Sequence, residues 1–240
     1  MGAAFLALWN GIDRPEARAE YEAWHAFEHV PERVGLPGFE YGRRYVGKEG
    51  GYFTLYGLRD LGALDTAGYA DVVAHPTPWS ARMRPRLNDF VRRPCELRAQ
   101  AGSGWGAHLV TIMAVTADAE AWAMQAERSL GEAVAQGRLL RAMAGVVPAG
   151  RTFQYPVGGE RIAPVAQGEA TVVFLAEHQR AEDCAAGARW WCGRMRGSHL
   201  DDPRLAAFAL QSQVARHELS APEGGRPAPL LDLMACHADR

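Results

Sequence analysis

The chain has 240 residues, 48% of them hydrophobic and 22% charged, with a formal net charge of −2. That length holds one large domain or two small ones with real cores, and the composition is that of an ordinary soluble globular protein. Near-neutral charge without a basic stripe excludes a field strong enough to gather nucleic acid or an anionic membrane surface.

The opening "MGAAFLALWNG" is apolar, carries no positive flank and ends its apolar run at Asn10. It is too short for a membrane span and lacks the pattern of a signal peptide, so a cytoplasmic protein is expected. Position 6 is Leu rather than Ser or Thr, which argues against lipidation at Gly2. Residues 3–12 read as a strand. Asp13 is expected to cap a helix that starts near Pro15, runs to about residue 30 and stops before "PERVGLPG". "FEYGRRYVG" (39–47) and "GYFTLYGL" (51–58) are strands joined by a "KEGG" hairpin turn. A second helical region begins near Leu64, breaks at "HPTPW" (75–79) and resumes through "SARMRPRL"; "NDFVRRPCELRA" closes the unit as a strand. The first hundred residues therefore read β-α-β-β-α-β, the ferredoxin-like pattern.

"QAGSGWG" (100–106) reads as a linker, and then the order repeats. "HLVTIMAV" is a strand, and "DAEAWAMQAERSLGEAVAQG" is a helix with an Asp cap and a Gly stop. "LLRAMAGVV" and "EATVVFLAEH" are strands joined by the long arm "PAGRTFQYPVGGERIAPVAQG". "RAEDCAAGARWWCGRMRG" is a helix, and "RLAAFALQSQVARHEL" contains the last strand. The expected fold class is α+β: one ferredoxin-like repeat over 1–100, a second over 106–219, and a tail over 220–240 packed in part through Leu230, Leu231 and Leu233. Each four-stranded sheet has one bare face. Packing the two bare faces together buries both and predicts a barrel-like sandwich within one chain.

"WHAFEHVPER" (24–33) holds the densest chemistry. At roughly 100° per residue, Ala17, Tyr21, Trp24 and Glu28 share one helix face, the one expected toward the sheet, with His25 and His29 on its flank. Histidines one turn apart can touch the same ligand. An inward carboxylate must be paired or neutralised. The spacing H-x-x-E-H also matches an inverted zinc-protease motif. Pro31, two residues after His29, is expected to end the helix too early for it, and no second helix offers a distal Glu. Three readings stay open here: an acid/base site, a pocket rim or solvated surface, and a metal site; zinc ranks last. His75 and Trp79 sit on a proline-fixed kink that is either a structural bend or a pocket rim. Arg43 and Tyr45 share one strand face, and an arginine there could hold a carboxylate ligand or lie on a solvated face.

None of the four cysteines, Cys95, Cys184, Cys192 and Cys236, forms a C-x-x-C pair, and free thiols are expected. Cys184 and Cys192 fall on one helix face, where packing is the simpler role. No phosphate loop, nucleophile elbow or dinucleotide fingerprint is present, so no nucleotide cofactor is expected. A single pocket histidine would suffice as a haem ligand, which keeps haem open.

The run "W-x-x-x-EH-x-P-E-R-x-x-LPGF", followed by the "GRRY" strand, resembles the dimeric α+β barrel superfamily, in particular its EthD-like and uncharacterised members. "YADVVAHPTPWSARMRPRLNDFVR" is similar to the second-helix segment of the same proteins. The likeness covers roughly residues 3–98; the second half matches by element order and lacks the EH-x-P signature. On the motif, Trp24, Glu28, His29, Pro31 and Glu32 correspond, whereas His25 stands where related chains often carry another aromatic or polar residue. The resemblance implies a small hydrophobic or aromatic molecule held between sheet and helices. It also implies activities of the cofactor-free monooxygenase, cyclase, isomerase or haem-handling kind. The resulting expectation is a cofactor-independent enzyme using His29, Glu28 and His25 as acid/base groups, with Trp24, Tyr21, His75, Trp79, Arg43 and Tyr45 around the substrate. It needs no metal and no cofactor, and it forms a possible homodimer. The alternatives are a non-catalytic small-molecule binder and a metal or haem protein built on the His25-x-x-Glu28-His29 segment.

Overall fold

The computed structural model describes residues 2–149, 168–195, 200–219 and 226–237; the core of the expected long arm (150–167) and the start of the tail (220–225) lie outside them. Eight strands form the framework: β1 (Ala4–Ile12), β2 (Phe39–Gly47), β3 (Tyr52–Leu58), β4 (Leu87–Gly102), β5 (His108–Thr116), β6 (Arg141–Val146), β7 (Ala170–His178) and β8 (Asp201–Ala215). They close into a barrel in the order β1-β3-β2-β8-β5-β7-β6-β4, with antiparallel pairing throughout. Each half keeps the ferredoxin-like order 4-1-3-2, and the halves join along two seams, β2 with β8 and β4 with β6.

Alternation sets the layers. Phe5 and Ala7 of β1, Phe53 and Leu55 of β3, Leu109 of β5, Val173 and Leu175 of β7 and Phe208 of β8 fill the barrel interior. The intervening residues face outward against helices. In the second half those are α5 (Ala119–Ala135) and α6 (Ala181–Met195). The Asp118 carboxylate caps α5 by accepting from the Ala121 N–H at 2.9 Å, and the chain leaves that helix through Gly137 at φ 66°, as the sequence pattern requires. Trp122, Phe174 and Trp191 fill the layer between sheet and helices here, the last two stacked at 3.7 Å and 7°. Cys184 and Cys192 are buried in the same layer, and the described cysteines are all free.

The first-half helices differ from expectation at two points. The chain enters them through a 3-10 turn at Pro15–Ala17 whose cap position is Arg14, with no side-chain cap from Asp13. Then α1 (Arg18–Trp24) widens into a π-helical stretch, His25–His29, and continues as α2 (Val30–Val34). Pro31 does not end the helix. The Val30 N–H reaches back five residues to the His25 carbonyl. That wider turn accommodates a proline, which has no N–H to give and whose ring crowds the preceding turn. α2 seats on β2 at Gly42, where an added Cβ would come within 2.5 Å of Val30 and 2.9 Å of Val34. The "HPTPW" break separates α3 (Ala67–Ala74) from α4 (Pro78–Met83), as anticipated.

The tail returns to this half. Its short helix α7 (Leu231–Ala235) lies against α4 and puts Leu233 and Met234 on the Tyr21, Trp24, Trp79 and Met83 cluster. Leu231, expected to pack, is half exposed, because the single turn of α7 presents Leu233 instead. No helix among the described residues is long and apolar enough to cross a membrane.

Candidate functional site

Between the outer face of the first-half sheet and its helices lies a small, partly open cavity. Leu6, Leu8 and Asn10 of β1, Thr54 and Tyr56 of β3, and Phe90 and Arg92 of β4 form its floor. Strand register explains the grouping: Leu6 lies opposite Tyr56, and Leu8 opposite Thr54 on one side and Arg92 on the other. Tyr21, Trp24, His25, His29 and Arg33 descend from the helix as the wall, and Tyr69 of α3 joins them. The polar tips of the aromatics are largely spent on structure. Tyr21 donates to Asn10 at 3.2 Å, Trp24 donates to Ser80 at 3.1 Å, and the Tyr69 hydroxyl accepts from Arg92 at 3.0 Å.

The two histidines are brought together as expected. Their rings stack at 5.3 Å and 20°, and Tyr21 stacks on the other face of His25 at 5.0 Å and 18°. Both are buried. Burial, and then the Arg44 and Arg33 charges, hold His25 well below the usual imidazole range. Burial, and then Arg33, His25, Arg84 and Arg44, do the same to His29. Both rings are therefore neutral near pH 7. Arg44 Nε donates to His25 Nδ1 at 2.8 Å, while His29 Nδ1 is buried with no hydrogen-bond partner.

Glu28 is buried but turned away from the cavity. It accepts from Thr77 Oγ1 at 2.5 Å and from the Leu230 N–H at 3.0 Å, so it ties the helix to α4 and to the tail rather than to its neighbouring histidines. The π-helical turn is the reason: it rotates each residue by less than the roughly 100° of an α-helix, which moves His29 toward Trp24 and His25 and carries Glu28 to the opposite flank. Glu32 is likewise engaged, by Arg33 at 2.6 Å and Arg226 at 2.7 Å. Thr77 also accepts from the Ser80 N–H at 3.0 Å as the cap of α4. Thr77→Val is thus expected to lose about 1–3 kcal/mol, a cap plus one donor to a buried carboxylate. Urea unfolding measures this, and a change within a few tenths would remove Glu28 from any anchoring role.

The other expected residues scatter. Trp79 is fully buried in the aromatic cluster, donates to Glu20 at 3.0 Å, and does not line the cavity. His75 is on the outer surface, its side chain 76% exposed and paired with Asp71 at 2.8 Å. Arg43 and Tyr45 point into the barrel, on the other side of the sheet. There Arg43 bonds Glu177 of β7 at 3.2 Å, the Gly106 N–H donates to the same carboxylate at 3.1 Å, and Arg43 and Arg141 stack under the Trp105 ring. Alternation put Arg43 and Tyr45 on one face correctly; it is the neighbouring Arg44 whose face meets the histidines. Arg92 and Tyr69 were not singled out from sequence, and nothing but their strand and helix parity signals them. The helix segment makes no convergent metal site, since Glu28 and the His25 Nδ1 both face other partners. Among the described residues no group of three or more His, Cys, Asp or Glu could hold a metal ion.

The eight-stranded antiparallel barrel made of two ferredoxin-like units matches the fold of dimeric α+β barrel proteins, here closed within a single chain. No family model and no curated protein matches the sequence. Among solved structures the fold is similar to that of an anthrone oxidase-like protein, with 10% identity, 89% of this chain and 94% of that one covered, and a TM-score of 0.60. It is also similar to candidate monooxygenases from Lactobacillus acidophilus NCFM (10% identity, 89% and 97% covered, TM-score 0.56) and Fusobacterium nucleatum subsp. nucleatum ATCC 25586 (7% identity, 89% and 95% covered, TM-score 0.55). At such identities the likeness is one of fold.

Proposed function

We propose that the chain is a cofactor-independent enzyme that takes a small hydrophobic or aromatic molecule into the first-half cavity and acts on it by histidine acid/base chemistry, in the manner of a monooxygenase, cyclase or isomerase. One observation carries this reading: an aromatic-walled cavity lined by two neutral, stacked histidines, one of which has a buried Nδ1 with no hydrogen-bond partner. A buried polar atom without a partner calls for an explanation, and a neutral imidazole offers a lone pair; a ligand that becomes anionic as it gives up its proton would offset the positive surroundings that weaken the ring as a base. The shared fold with an anthrone oxidase-like protein supports the choice of hydroxylated polycyclic compounds as first probes. Glu28 takes no part in the chemistry on this reading; it holds the helix. The guanidiniums of Arg33, Arg44 and Arg84 around the pair favour an anionic or electron-rich ligand over a metal cation.

Trp24 in the cavity wall provides the assay. Anthrone and 1-naphthol are expected to change its fluorescence saturably, and oxygen uptake or product formation with anthrone is expected to fall at least about 100-fold in His29→Ala, the scale of a lost general base. Saturable binding with no turnover of either probe would leave a small-molecule binding protein instead. Unchanged turnover in His29→Ala would remove the histidine from the mechanism.

A further inference from the structure

The two histidines have the same residue type, similar burial and nearly parallel rings, yet their nitrogens are treated differently. A guanidinium has five N–H donors and no acceptor. The Arg44 Nε–H points at His25 Nδ1 at 2.8 Å, so that nitrogen must present its lone pair. The proton of the neutral ring then sits on Nε2. A proton on Nδ1 would set two donors face to face in a buried place, and a doubly protonated ring would do so with two positive charges. Arg44 is itself anchored. It is buried on β2, and its Nη1 donates to Ser212 Oγ of β8 at 3.4 Å, across the seam between the halves. The His25 ring cannot turn to escape, because Tyr21 and His29 flank its two faces. No comparable donor fixes His29, whose Nδ1 has no partner.

We infer that Arg44 is a positioning residue: it locks His25 in the Nε2–H tautomer, so that His25 serves only as a hydrogen-bond donor and His29 alone is left to accept a proton. This rests on the proposed acid/base use of the cavity for its meaning, but the lock is a property of the unliganded protein. It divides the labour of the pair. A donor beside an acceptor suits a ligand in which an oxygen gains negative charge as a neighbouring O–H or C–H gives up its proton, because His25 stabilises the first while His29 takes the second. The burial and positive surroundings that keep both rings neutral hold His25 to its donor role; they also weaken His29 as a base, so it takes a proton only as the negative charge developing on the ligand offsets the new imidazolium.

Side-chain 15N–1H correlation spectra of the labelled full chain test the lock without any substrate. Wild type is expected to show His25 with a lone-pair Nδ1 and a protonated Nε2, unchanged from pH 8 to pH 6. Arg44→Met removes the donor and keeps the length; His25 is then expected to move to an exchange-averaged mixture of tautomers and to titrate at higher pH than before. Arg44→Lys keeps a donor and should restore much of the wild-type signature. A protonated Nδ1 on His25 in wild type, or an unaltered tautomer in a folded Arg44→Met chain, would overturn the inference. The wild-type spectrum decides even if neither variant folds. A confirmed lock in a chain that turns over neither anthrone nor 1-naphthol would refute the proposed function and leave the lock standing.

Discussion

Glu177→Leu is expected to lower the free energy of unfolding by about 3–5 kcal/mol, the cost of leaving one member of a buried ion pair without its partner. The Arg43 side chain is fully buried, and Glu177 is the carboxylate it bonds through both oxygens, at 3.2 and 3.3 Å. Taking the carboxylate away strands a guanidinium inside the barrel and also deprives the Gly106 N–H of its acceptor. The double variant Arg43→Met, Glu177→Leu removes both charges and fills the space with apolar atoms, so at least half of the loss should return. Urea or guanidinium midpoints on the four chains of this cycle give the coupling directly. Additive losses, with the double variant worse than either single one, would mean that the pair is not an energetic unit.

The second large effect is a fall in stability as the pH drops below about 6.5, the range in which an unfolded imidazole takes up its proton. In the folded chain His25 and His29 are held neutral, first by burial and then by the positive charges of Arg33, Arg44 and Arg84. The unfolded state therefore binds more protons in this range, and stability rises with pH. The contribution is fully present above about pH 6.5 and is lost as the pH falls toward the folded-state values. The slope is up to about 1.4 kcal/mol per pH unit for each histidine, and twice that for the pair. Against a net stability of roughly 5–15 kcal/mol for a domain, two pH units are enough to matter. The acidic groups nearest the segment, Glu28 and Glu32, are bonded to Thr77 and Arg33 rather than to the histidines. Unfolding curves at pH 7.5, 6.5 and 5.5 measure the slope. His29→Gln is expected to halve it, and a wild-type curve flat across this window would contradict the neutral, desolvated state of the pair.

Much of the architecture was legible because its signals are local. Strand runs, the Asp118 cap, the Gly137 stop and the proline break at 76–78 each carry their own physical cause. So was the closure into a barrel, which follows from two sheets with one bare face each. The site was legible only in part. A wheel of constant pitch placed Glu28 inward beside the histidines and Pro31 as a stop; one π-helical turn leaves Glu28 buried but turns it off the cavity face, and it removes the stop. The arginines failed differently. Alternation separates Arg43 from Arg44 but does not say which faces the barrel and which the helices, since both faces of β2 are buried and both residues are charged. What decides is Glu177, a partner 134 residues away in sequence, and no local pattern points to it.

The two sheet–helix layers have gone opposite ways: open over the first sheet, filled by Trp122, Phe174 and Trp191 over the second. A barrel assembled from two identical chains cannot do this, because every substitution appears in both halves and a tryptophan that plugs one cavity plugs its twin. A single chain is free of that constraint. Here the second half is filled with large aromatics while the first keeps the cavity, and Ser212 of the filled half connects to His25 of the cavity wall through Arg44.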